Sequence, residues 1–343
     1  MGTLQIGLAV AGGVLLAAVV AHEAWKARKL APRQPARAEP SDTAAVAQIE
    51  PQLGVDPFAA ESFPVPPPEK KVGMDGLIDV IAPVALEDPV SGDAALAAMP
   101  ATRRAGSKPF AVEGLNTGTR IWETPVAGQR YDAFQVGVQL ANRLGALNEI
   151  EYSEFVVKAQ GFCDAINGTP DFPDMIEQVA RARELDQFAG AHDAQLGFTL
   201  RARSAAWSPG YVQQHAARLG FVAGAMPGRM VLAASLAGMP PVLGLSFDTQ
   251  AALAEDPAQA AIREVALSLD VAQVDRGEQP FVRLRDSAVA LAAAMDGVIT
   301  DDNGRVLQRD AMDLIGSELE GLYNTLEQRD LAAGSALARR LFS

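Results

Sequence analysis

Hydrophobic and polar positions divide the chain into three textures. Residues 4–21 are apolar apart from Gln5, a run long enough to cross a hydrocarbon core as one helix. His22, Glu23 and Trp25 follow, then a basic cluster of Lys26, Arg28, Lys29, Arg33 and Arg37. The pattern predicts a transmembrane anchor over residues 1–25, marked by Leu4, Gly13, Ala21 and the interfacial Trp25. No lysine or arginine precedes the run, which argues against a cleaved signal peptide. The basic flank is expected on the cytoplasmic side, against anionic headgroups. Ala9, Gly13, Ala17 and Ala21 form a small-residue stripe that permits a homodimer through the span. Over residues 30–72 prolines punctuate Ala, Gln and Glu without a helix or strand period. Residues 26–73 are therefore expected to be a basic stem and a flexible, disordered Pro-rich linker.

Periodic structure resumes near Gly76, and it comes twice. Residues 134–140 and 263–269 both alternate with period two, the strand pattern. Val136, Val138 and Leu140 precede Val265, Leu267 and Leu269 by 129 residues. The same offset relates Phe155, Phe162 and Ile166 to Leu284, Leu291 and Met295 on the following helix, and Gly168 to Gly297 after it. Asn-Gly and Asp-Gly end these helices, a stop signal. Opening strands are expected at 77–81 and 196–200, with helices at 92–99 and 209–219. Further strands are expected at 110–115 and 120–123 in the first copy, and at 221–223, 230–233 and 242–247 in the second. Helices at 174–188 and 310–327 close the two copies. Short hairpins leave no room for crossover helices, so the expected class is α+β with mainly antiparallel sheets.

Charge narrows the function. The formal net charge is −13 despite the basic stem, so the body is acidic and no nucleic acid is expected as a partner. Cys163 is the only cysteine, which excludes an intramolecular disulfide. It lies beside Phe162 on an apolar helix face and is expected to be buried and inert. His22, His192 and His215 have no partner at metal-ligand spacing. The 301–304 Asp-Asp-Asn-Gly sequence is expected to be a hairpin turn rather than a calcium loop. No phosphate loop, dinucleotide fingerprint, nucleophile elbow or zinc-protease motif occurs. The expectation is a binding protein with no cofactor, no metal and no catalytic residue. An enzyme with a site between the repeats stays open as an alternative, because sites can assemble from scattered residues.

The organisation of the chain, and in particular the stem and residues 192–327, resembles the bacterial ZipA family of cell-division proteins. The stem 7–28, the passage 208–226, the strand 241–247 and the passage 288–305, which contains ALAAAMDGVITDDNGR at 290–305, carry the likeness, with 308–315 as the start of the last helix. The resemblance implies a bacterial inner-membrane protein at the division site, with its N-terminus periplasmic and its bulk cytoplasmic. It implies a split β-α-β domain that binds the C-terminal tail of FtsZ. On this view 74–190 is a divergent first repeat, 191–330 the ZipA-like C-terminal domain and 331–343 a tail. Another division or envelope protein is the alternative partner. One face of the 265–271 strand carries Val265, Leu267 and Leu269, and the other Ala266, Ser268 and Asp270. That open face is small and polar. The expected peptide-binding residues are therefore Met226, Met230 and Leu232, with Val242 and Ser268 beside them.

Overall fold

A computed structural model of the chain describes residues 32–35, 73–257 and 259–343. The expected membrane span and most of the linker lie outside the described residues. Among the described residues, no helix is long and apolar enough to cross a membrane.

The fold is α+β with mainly antiparallel sheets, in two compact units. Residues 73–194, 270–277 and 317–343 form one unit, and residues 32–35, 195–269 and 278–316 the other. The first contains sheet I, built from β1 (Asp79–Ser91), β2 (Arg104–Ala105), β3 (Lys108–Asn116), β4 (Trp122–Glu123), β5 (Arg130–Gln139) and β8 (Gly168–Pro170). A small hairpin, β6 (Ala141–Asn142) with β7 (Gly145–Ala146), follows β5. The helices are α1 (Gly92–Ala98), α2 (Glu149–Ile166) and α3 (Met175–His192). The second unit contains sheet II: β9 (Gln195–Ala202), β10 (Phe221–Ala223), β11 (Arg229–Leu232), β12 (Leu243–Ser246), β13 (Glu264–Asp270) and β14 (Gly297–Thr300). With it go α4 (Pro209–Ala217), α5 (Thr249–Ala252) and α6 (Pro280–Met295). The chain then continues through α7 (Arg309–Glu327) to α8 (Ala336–Leu341).

Sheet I contains the order β3-β5-β1-β8 and sheet II the order β12-β13-β9-β14. These are the same succession of elements, and the 129-residue offset carries through to burial. Val136, Val138 and Leu140, like Val265, Leu267 and Leu269, are at most 1% exposed. The helix stripes Phe155, Phe162, Ile166 and Leu284, Leu291, Met295 are buried against them. In sheet I the core is aromatic, with Phe134 edge-on to Phe162 at 5.5 Å and Phe110 tilted to Phe155 at 6.1 Å. A capping box starts α2: Asn148 accepts from the Glu151 amide, and Glu151 accepts from the Asn148 amide.

The helix stops work differently from the glycine cap that their sequence suggests. Asn167 and Asp296 themselves take left-handed φ values of 52° and 54°, which short polar side chains tolerate. The following glycine opens the next strand. A Cβ at Gly168 would lie 2.7 Å from Val84 Cγ1, so close packing selects glycine there.

Two sequence expectations are corrected. The opening strand is not 77–81 but the 13-residue β1, which carries Pro83 and Pro89. Prolines and acidic residues break its alternation, and the register shift between Ala85 and Val90 accommodates Pro89. The tail 331–343 is an integral part of its unit. It forms α8, with Leu331, Ala338 and Leu341 fully buried, and Gln273 Nε2 donates to the Phe342 carbonyl at 2.7 Å.

Candidate peptide-docking face

Sheet II is covered on one side. The α6 stripe Phe281, Leu284, Ala288, Leu291 and Met295 packs there, together with Val212 and Ala216 of α4. Against it the sheet presents Phe198, Leu200, Phe221, Met230, Leu232, Leu243, Leu245, Leu267 and Ile299, all at most 8% exposed. Phe198 meets Phe281 edge-on at 6.4 Å.

The strand registers fix the opposite face. Val222 pairs with Val231, Val231 with Gly244, and Gly244 with Ser268. This row crosses four strands. A second row runs Arg229, Ser246, Ala266. Val222 is 54% exposed, Ser268 is exposed, and Val231, Gly244, Ser246 and Ala266 are half-buried. A Cβ at Gly244 would lie 2.6 Å from Ser268 Oγ, so the serine leans over the glycine and the middle of the row is low. Met226, also 54% exposed, sits in the turn between β10 and β11, where the Gly224 amide donates to the Arg229 carbonyl and the Arg229 amide to the Met226 carbonyl. The result is a shallow face with apolar groups at one end and hydroxyl and backbone polar groups toward the other.

Of the five residues expected to bind peptide, Met226 and Ser268 lie on the exposed surface. Met230 and Leu232 do not: at 5% and 7% exposure they belong to the helix-covered face. On a pleated strand neighbours alternate, so placing Met230 and Leu232 in the core puts Val231 outside. Val242 is 1% exposed. It precedes the first residue of β12 and donates its amide to the Leu232 carbonyl at 2.8 Å. Ala266 lies on the open face as its alternation predicts, whereas Val222 and Val231 are not among the expected residues, although their alternation with Phe221 and Leu232 carries the signal.

The corresponding face of sheet I is occupied by its own unit. Its central row is Ile81, Gly137, Ala111. Met74 lies over Gly137, where a Cβ would collide with the methionine sulfur. The Met74 amide donates to Glu113 Oε1 at 2.9 Å, and Gln135 Nε2 donates to Glu113 Oε2 at 2.8 Å. At the end of this face Gln139 Nε2 donates to the Arg340 carbonyl, and Arg340 pairs with the buried Asp79.

The side chains with reactive potential are committed elsewhere. Burial and then the nearby Asp164 push the Cys163 thiol up to about 11, so it stays protonated near neutrality. His192 Nδ1 lies 2.7 Å from the Phe188 carbonyl, with the two rings stacked. Lys108, 1% exposed, donates to Ser107 Oγ at 2.8 Å and to Asn142 Oδ1 at 3.0 Å. Burial lowers its pKa. A lysine beside a serine can activate a hydroxyl, but here the Ser107 hydroxyl and amide both donate to Glu151 Oε1. The adjacent Gly106 amide donates to Glu154. These amides serve carboxylates, so they are unavailable to an oxyanion, and the network completes the start of α2. The Asp301 carboxylate accepts the Asn303 and Arg305 amides, and Gly304 takes φ 77°, the geometry of a turn. Among the described residues, no group of His, Cys, Asp and Glu side chains could hold a metal ion.

No protein-family model matches the chain, and no curated protein matches it.

Proposed function

We propose that this protein is a non-catalytic, single-pass inner-membrane tether that binds the C-terminal tail of FtsZ on the open face of sheet II. In this reading residues 1–25 anchor the chain, with the linker behind them. Each sheet with its helices is a divergent copy of a split β-α-β domain. The observation that carries the reading is the one-sided sheet: α4 and α6 cover one face, and the row Val222, Val231, Gly244, Ser268 remains open. Such a face suits a short segment anchored by a few apolar side chains, each worth about 1–3 kcal/mol when truncated. Attachment to a polymer then gains from avidity, because many tails meet many tethers on one membrane.

The test is fluorescence anisotropy of a labelled FtsZ-tail peptide with the full chain in nanodiscs, and a scrambled peptide as control. Saturable binding that weakens on Val231→Asp and Met226→Asp is expected. Absence of binding at high micromolar peptide rejects the FtsZ tail as ligand. A second partner, another division or envelope protein, is favoured by one feature. The polar end of the face, with Ser246, Ser268 and Arg201, suits a segment that brings hydrogen-bonding groups.

A further inference from the structure

The segment 32–35, Pro-Arg-Gln-Pro, lies on the sheet II unit and is held there by three kinds of contact. The first is backbone pairing. The Arg33 amide donates to the Ala206 carbonyl at 2.7 Å, and the Ser208 amide donates to the Arg33 carbonyl at 2.9 Å, a parallel bridge to Trp207. Trp207 uses its own amide and carbonyl on the other side, in an antiparallel exchange with Ile262 at 2.8 Å each way. The segment therefore adds as an outer strand to an existing pair.

The second contact is ionic. Arg33 Nη2 reaches Asp296 Oδ2 at 2.7 Å and Nη1 reaches the Met295 carbonyl at 3.1 Å. Ser204 Oγ donates to the same Asp296 oxygen at 2.8 Å and steadies it. These acceptors stand at the C-terminal end of α6, where helix carbonyls carry partial negative charge. The Met295 carbonyl also receives Trp207 Nε1 at 2.7 Å, so the fully buried indole and the arginine share one acceptor. The third contact is steric: a Cβ on Gly210 would lie 3.5 Å from Pro35 Cγ, so the flanking proline rests on the start of α4.

We propose that the C-terminal end of α6, together with the 204–210 segment, is a binding site for an extended, arginine-bearing strand, and that residues 32–35 of the same chain are its occupant. The site is specific in three ways. It needs a free amide and carbonyl at the arginine, a guanidinium to bridge Met295 and Asp296, and extended geometry, which the two prolines favour. Arg33, expected in the headgroup-binding cluster, is instead engaged by the body. The contact stands without the tether reading. If that reading also holds, the latch sets the reach of the body. Residues 22–32 span at most about 40 Å when extended, against about 180 Å for residues 22–72.

Hydrogen exchange on the full chain in nanodiscs tests the site. The Arg33 and Ser208 amides should be protected in the wild type. In Arg33→Glu, which places a carboxylate against Asp296, both should exchange about tenfold faster or more. The Trp207 and Ile262 amides should not change, because each donates to the other residue's carbonyl. Free exchange at Arg33 and Ser208 in the wild type, or no change in Arg33→Glu, overturns the proposal. The occupant is identified with a Pro35→Cys/Gly210→Cys variant and a short bismaleimide, Cys163 being buried. An intramolecular 35–210 link is expected. Absence of the link, or a covalent dimer carrying it, overturns occupation by the same chain.

Discussion

Val231 and Leu232 are neighbours on β11 that face opposite sides of sheet II, so truncating each to alanine separates the two faces. Leu232 is 7% exposed and pairs with Phe221 on one side and Leu243 on the other. Removing a buried leucine side chain costs about 2–5 kcal/mol, the lost transfer energy plus a cavity term. Leu232 lies one strand from the sheet edge, where the site can partly collapse, and this places it near about 2–3 kcal/mol. Val231 is half-buried on the open face and loses only two methyl groups that water already reaches, about 0.5 kcal/mol. At about 4 °C per kcal/mol, the value between those of smaller and larger domains, Leu232→Ala should lower the melting transition of the sheet II unit by about 8–12 °C. Val231→Ala should lower it by about 2 °C or less. Peptide affinity should rank the two the other way, with Val231→Ala about fivefold weaker or more and Leu232→Ala near wild type below its transition. Circular dichroism melts and the anisotropy assay read both quantities on the same samples. Equal melting shifts would show that the two side chains are not on opposite faces. Loss of binding in Leu232→Ala without loss of stability would restore the sequence-based choice of docking residue.

Four further outcomes are expected. Arg340→Ala removes the ionic partner of the Asp79 carboxylate, 2% exposed, and leaves it the Asp75 amide, and should cost about 2–3 kcal/mol in urea midpoints, less than a fully buried pair because the arginine is partly solvated. Asp79→Asn with Arg340→Met should recover most of that loss. Burial raises the Asp79 pKa from 3.8 even against the Arg340 bond. The folded state therefore binds the extra proton, and stability should fall as pH rises from 3.8 through the folded value. Asp79→Asn should flatten that slope. The Cys163 thiol, pushed up to about 11, should resist a thiolate reagent at pH 8 until the protein unfolds, and stability should decline as pH rises above its ordinary 9.0. Rapid labelling of the native protein would contradict its burial. In calorimetric titration, one tail peptide should bind per chain, because Met74 and its neighbours occupy the open face of sheet I; two equivalent sites would mean that this cover yields.

The periodic elements were legible from sequence because each alternation is set by a core, and both cores use the same spacing. In 263–269 Val265, Leu267 and Leu269 are buried in alternation, and 134–140 keeps the same apolar phase although Gly137 and Gln139 on its other face are buried as well. What escaped is what periodicity does not encode. Pro83 and Pro89 hide β1, since proline and acidic residues look like a loop until the bulge is seen. The phase of the four-residue β11 was misjudged because Met230, Val231 and Leu232 are all apolar, and a short strand lacks enough turns of the pleat to fix it. The docking of Arg33 depends on Met295 and Asp296, more than 260 residues away in the chain. Local pattern cannot foresee such a contact, and composition pointed the arginine toward lipid.

The two sheets show how one succession of elements can carry different surfaces. Gly137 and Ala266 are 129 residues apart, and each lies on the open face of its sheet beside the strand that supplies the core. Glycine is required at the first position because Met74 passes over it, and the chain before β1 is tied there by Glu113. At the second position a methyl group fits. Its row neighbour Ser246 and the adjacent Ser268 leave the surface free for another backbone to approach. Core positions are held to volume and phase by the helices, so they are alike in both units. The open faces are free of that constraint and diverge in what covers them. A docking partner is therefore sought on the face that the helices do not touch, in the unit whose own chain leaves it uncovered.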